Sequence, residues 1–90
     1  MSLQQGDVKS YDNDRMIVQF TMLDRDKVVL CAITTAAMDE LEGIRNVGSD
    51  QRMNQFMRLR AKIEERASGK FDEQGEINKQ VMLRSNDFVK

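Results

Sequence analysis

Residues 15–33, RMIVQFTMLDRDKVVLCAI, hold two apolar runs separated by four charged residues. Runs rich in β-branched and aromatic side chains on either side of a short polar break read as a β-hairpin. In the first run, Met16, Val18, Phe20 and Met22 point one way and Ile17, Gln19, Thr21 and Leu23 the other, because successive strand residues face opposite sides. The aspartates of DRDK favour a turn through local side chain to backbone hydrogen bonds. Upstream, VKSY and DND supply a short edge strand and a tight turn, so the hairpin extends to a three-stranded meander.

After the hairpin the pattern turns helical. Thr34 or Thr35 caps a helix over 35–46, with Asp39 and Glu40 near its positive end. Ala37, Met38, Leu41 and Ile44 recur at three and four residues and mark its buried face. In NVGSD, Gly48 suits the left-handed conformation that ends a helix, and Ser49 or Asp50 caps the next. That second helix spans 50–68, with Met53, Phe56, Met57, Leu59, Ile63 and Ala67 in one stripe. SGK and EQG break it, which makes 69–78 a loop unless the helix runs on past Phe71. QVMLR (80–84) is a last short strand, and 85–90 a polar tail in which Phe88 can tuck back. The expected order is β-β-β-α-α-β: an α+β fold, a small antiparallel sheet with two helices on one face.

Ninety residues make a single domain, 1–90, with 1–7 as a flexible lead-in. A chain this short buries only about 60% of its unfolded surface, so its core is thin. Small domains compensate with disulfides, a structural metal or a partner subunit. One cysteine and no histidine remove an internal disulfide and the usual zinc sets. A homodimer is therefore the expected remedy, with a core that manages unaided as the alternative. The lone thiol fits a reducing cytoplasm. MSLQQGDVKS is not the start of a signal peptide, and no apolar run approaches the roughly 20 residues that cross a bilayer. No membrane partner is expected. With 14 basic and 15 acidic residues, the chain has no overall pull towards polyanions.

The same composition narrows the chemistry. Cys31 stands just before a helix start, where a thiol can be activated. Its strand-face neighbours Val29 and Ile33 are apolar, however, and no histidine exists to pair with it, so Cys31 reads as core. Without histidine the chain lacks the commonest general base and transition-metal ligand. Asp12 and Asp14 have the spacing of the first two ligands of a calcium loop, but Met16 stands where the third belongs. The five glycines form no phosphate-cradling motif. No catalytic set, metal or cofactor is expected, and the chain is read as a non-enzyme.

Contact surfaces remain. Arg60 falls between Phe56 and Ile63 near the centre of the apolar stripe. Either its stem packs while its head reaches the rim or a carboxylate such as Asp39, or it holds an anion in a groove. Arg52, Arg58, Lys62, Arg66 and Lys70 line one flank of the helix, opposed by Glu64 and Glu65. Such a flank can track a phosphate backbone. Yet no aromatics are interleaved and the net charge is near zero, which weighs against nucleic acid. The contact candidates are Arg60, Arg58, Lys62 and Arg66. Met16, Met22, Met38, Met53, Met57 and Met82 are either core fillers or an adaptable contact surface.

From YDNDRMIVQF through VLCAITTAAMDEL and FMRLRAKIEERA to VMLRSNDF, the chain resembles a family of short proteobacterial proteins known only as a domain of unknown function. The likeness is greatest at the C-x-I-[ST] run of Cys31, Ile33 and Thr34, followed by Leu41. Such relatives often turn their hairpin on a glycine, where this chain has DRDK. The resemblance implies a stand-alone bacterial cytoplasmic protein and carries over no catalytic residues. The expected role is a non-enzymatic protein-interaction or self-associating module, acting through a Met-rich or Arg60-centred patch. A nucleic-acid-binding or regulatory module on the basic flank and a small-anion sensor at Arg60 are the alternatives.

Overall fold

The computed structural model describes residues 3–44, 47–75 and 80–88. Its elements are β1 (Gln4–Asp12), β2 (Ile17–Asp24), β3 (Lys27–Thr34), α1 (Thr35–Glu42), α2 (Arg52–Gln74) and β4 (Val81–Leu83), with single 3-10 turns at Ser49–Gln51 and Ser85–Asp87. The order is the predicted β-β-β-α-α-β, and the strands lie side by side as β1-β2-β3-β4. The meander is antiparallel, whereas β4 joins β3 in parallel, so the sheet is mixed. Two helices between β3 and β4 return the chain to the end where β3 began, which is what a parallel neighbour requires.

The hairpin forms where its alternation places it. Phe20 pairs with Cys31, Met22 with Val29, and Asp24 with Lys27 around a two-residue turn. Arg25 sits in that turn with φ 58°, in the left-handed region that glycine enters most easily. β1 carries two register shifts. At the first, Gly6 lies so close to β2 that an added Cβ would fall 2.5 Å from the Thr21 carbonyl oxygen. The Thr21 hydroxyl accepts the Asp7 N–H at 2.9 Å across this bulge. β1 thus begins inside the segment expected to be a flexible lead-in, and Leu3 ahead of it is buried. In the β1–β2 turn, Asp12 Oδ1 accepts from the amides of Asp14 (3.0 Å) and Arg15 (3.2 Å). That is a turn's use of a carboxylate, not a cation site's.

Val18, Phe20, Met22, Val29, Cys31 and Ile33 face the helices and meet Ala37, Met38, Phe56, Leu59, Ile63 and Ala67. The Phe20 and Phe56 rings lie 5.1 Å apart, tilted at 51°. Cys31 is 1% exposed, with its sulfur 3.7 Å from the Val29 carbonyl oxygen. It is packing.

α1 starts where expected, the Thr34 hydroxyl accepting the Ala37 N–H at 3.1 Å. It ends earlier. Gly43, at φ 72°, returns its N–H to the Asp39 carbonyl at 2.7 Å, which closes the helix at Glu42 and leaves Ile44 exposed. Gly48 has φ −69° and takes no left-handed role, and no side chain caps α2, which continues out of the Ser49–Gln51 turn. α2 runs through Gly69 to Gln74 and stops at Gly75, φ 69°. Most of the loop expected over 69–78 is therefore helix, and its 76–78 part lies outside the described residues.

The buried stripe of α2 also differs. Met57 is 51% exposed, while Arg52 and Gln55 are buried. Exchanging one flanking methionine for two polar residues rotates the stripe by roughly 40° at 100° per residue. Arg60 consequently moves from the centre of the stripe to its edge. Past β4, the chain makes its Ser85–Asp87 turn and packs Phe88 against the core.

Candidate functional site

Two surfaces could meet a partner: the polar flank of α2 and the sheet face turned away from the helices. The flank is bound up in three sets of contacts with the rest of the chain. Near its start, Arg52 donates to Asp39 and to Gln55, both at 2.7 Å, and Gln55 donates to Asp39 (3.1 Å) and Glu42 (3.3 Å). Arg58 grips Glu42 with two bonds of 3.0 Å. These bonds hold α1 against α2. In mid-helix, Arg60 pairs with Glu64 at 2.8 Å and donates to the Gly6 carbonyl at 3.1 Å, while Gln5 donates to Glu64 at 3.0 Å and the Leu3 N–H to the Ser68 hydroxyl. These bonds hold β1. Near its end, Lys70 reaches the Met82 carbonyl (2.6 Å) and Asp87 (3.0 Å), and Arg66 donates to the Asp87 carbonyl (2.9 Å). These bonds hold β4 and the segment after it.

Such contacts set the electrostatics. Burial pushes the Asp39 carboxyl up, but hydrogen bonds from Arg52 and Gln55, with the Arg52 charge, leave it below its ordinary value. The Arg58 guanidinium lowers Glu42. Asp87 is raised by burial and lowered further by the Arg84 N–H, Lys70 and Arg66, for a net fall. Stabilised carboxylates of this kind are structural ion pairs, not proton donors at neutral pH.

Of the four contact candidates, Arg60, Arg58 and Arg66 spend their donors within the chain. Arg60 pairs with Glu64; Asp39, offered from sequence as its partner, belongs to Arg52. Lys62 is exposed and makes no ion pair among the described residues. A broad depression of about 970 Å3 runs along α2; Lys62 and Arg66 reach its wall together with Glu64, Glu65, Asp72 and Asp87, and Arg60 does not line it. Four carboxylates beside two cations make a poor phosphate track. Among the described residues no group of histidine, cysteine, aspartate or glutamate could hold a metal ion, and no helix is long and apolar enough to cross a membrane.

The second surface is the opposite face of the sheet. Cross-strand pairing puts Leu23 beside Val28, Thr21 beside Leu30, and Gln19 beside Ala32, with Met82 next to Ala32 on β4. Val28 is 54% exposed and Leu30 51%. Sequence reasoning missed both residues. The signal was present in VVLCAI, a strand with no polar residue on either face, although the helices can cover only one.

A family model described as "Protein of unknown function (DUF1488)" matches residues 5–83. The chain is also similar to the crystal structure of a protein of unknown function of that family from Shewanella loihica PV-4. The two share 19% sequence identity at a TM-score of 0.75, covering 92% of this chain and 90% of the other. At that identity the likeness speaks for the fold. No curated protein matches.

Proposed function

The chain belongs to the DUF1488 family of proteins of unknown function, and from that premise we propose that it is a non-enzymatic protein-contact module. Its docking surface is the open sheet face around Val28 and Leu30. The supporting observation is the exposure of two adjoining large apolar side chains, flanked by the half-buried Leu23 and Met82, on a face without a covering helix. Grouped apolar exposure of this kind marks contact sites more often than single exposed residues do. The buried thiol and the lack of histidine agree with a non-enzyme of the bacterial cytoplasm. The patch differs from the Arg60-centred one anticipated from sequence, because the Arg60 guanidinium is occupied by Glu64 and Gly6.

A photo-reactive amino acid placed at Leu30, and separately at Lys62, tests the reading in living cells. Discrete adducts are expected at 30 and none at 62. Adducts at 62 alone would overturn it. For the basic flank, the matching expectation is no retention on duplex DNA at low salt, since its arginines are already paired.

A further inference from the structure

Resting on that contact reading, we infer that the partner seated on the open face is a second copy of this chain, stacked sheet to sheet about a two-fold axis that runs along the strands between β2 and β3. Two observations favour a copy. The first is charge. Asp12 pairs with Ile17 and Ile17 with Thr34, while Ile33 pairs with Leu83, so Arg84 stands level with Thr34. Asp12 and Arg84 therefore occupy one level at opposite edges of the sheet. Arg84 continues β4 in an extended conformation and is exposed. Asp12 uses Oδ1 on the turn amides and leaves Oδ2 only the 3.8 Å contact with Arg15.

A two-fold along the strands reverses the lateral order, setting β1 over the partner's β4. It brings Asp12 over Arg84 twice, and it lays the uncharged centre of the face, Leu23, Val28 and Leu30, on its own copy. A two-fold across the strands would set β1 on β1, leaving both charges unmatched. Isologous contacts need this self-complementarity, and stacked sheets prefer near-aligned strands.

The second observation is area. Three strands of eight or nine residues and the three-residue β4 give a face of roughly 450 Å2 per copy, at about 3.3 Å per residue and about 4.8 Å between strands. Two such faces bury about 900 Å2, in the range of weak, transient contacts. The dimer is thus a weak one, dissociating in the micromolar range or above.

Sedimentation equilibrium of the full chain, from micromolar to millimolar, tests this. The wild type is expected to pass from monomer to dimer. Leu30→Lys and Val28→Lys, both at exposed positions, should remain monomeric throughout with unchanged thermal unfolding. Arg84→Glu should weaken the dimer about tenfold, because the symmetry repeats each rim pair. Adding Asp12→Asn, which keeps the turn's acceptor oxygen, should restore part of that loss. A wild type that stays monomeric at millimolar concentration overturns the inference. So does a dimer indifferent to Leu30→Lys or to Arg84→Glu. If the wild type is monomeric but crosslinking at position 30 captures a different protein, the two-fold falls and the contact module stands. If neither occurs, both fall.

Discussion

The polar flank of α2 and the open face of the sheet are opposites in composition and in use. The flank is rich in charge, and its arginines and Lys70 are spent holding α1, β1, β4 and the segment after β4. The open face has no charge at its centre and holds two large apolar side chains more than half exposed. A surface already engaged by its own chain has little to offer a partner, however charged it looks in sequence. In a domain this small, one long helix bears the latches and the sheet is left partly bare.

The sharpest way to break this contrast is to remove a latch. Arg52 is 7% exposed, and deleting its guanidinium strands the Asp39 carboxylate and the Gln55 amide. Truncating one member of a buried, hydrogen-bonded pair costs roughly 3 kcal/mol. Arg52→Ala should lower unfolding stability by about that amount in urea titrations at dilute protein. Lys62→Ala, on the same helix, should stay within about 0.5 kcal/mol. Equal effects would mean that the flank is ordinary solvated surface.

Acid provides the next test. Asp39, Glu42 and Asp87 are all held below their ordinary values in the folded chain. Groups with depressed folded pKa values bind protons more tightly when unfolded, so they contribute stability in full above the unfolded value, near 4. That contribution drains away as pH falls through the folded values. Thermal midpoints should be level from about pH 5 to neutrality and drop below about pH 4. Asp39→Asn should lower the plateau and make the acid limb shallower. An unchanged limb would remove the α1–α2 latch from the account.

What the sequence revealed and what it hid divide along the same line. Alternation over 17–33, the Thr34 cap and the three-to-four spacing of Phe56, Leu59, Ile63 and Ala67 are local signals, and each became the element it foretold. Met16, expected on the core face of the strand, instead lies in the turn before it, exposed at φ 57°. Cys31 was legible because its strand neighbours are apolar. The end of α1 was obscured by competing glycines: Ile44 continues the apolar spacing, yet Gly43 closes the helix before it. The tilt of the α2 stripe was hidden because Arg52 and Gln55 are buried by partners on another helix, which no spacing rule can see. Spacing likewise could not show that Arg58, Arg60 and Arg66 bond to Glu42, Gly6 and Asp87. The open face was readable in principle, from an all-apolar strand and helices enough for one side.

A smaller effect concerns the hairpin that carries the open face. Arg25 holds φ 58°, a conformation costing an ordinary L-residue about 1 kcal/mol that glycine escapes. Against this, glycine makes the unfolded chain more flexible. Arg25→Gly should therefore raise stability by about 0.5 kcal/mol while leaving the α2 latches untouched. A loss of stability would show that the Arg25 side chain contributes more than its backbone costs.

The smallest expected change is the one that most sharpens the contrast. Leu30 keeps half of its surface in water, so Leu30→Lys sacrifices little burial, and the lysine stem can lie along the strand with its ammonium solvated. At protein concentrations too low for any association, its unfolding stability should match wild type within about 0.5 kcal/mol. A loss of about 2 kcal/mol or more would mean that the side chain is covered in the isolated molecule. The face would then belong to the interior, and the domain would have two cores in place of one core and one bare sheet.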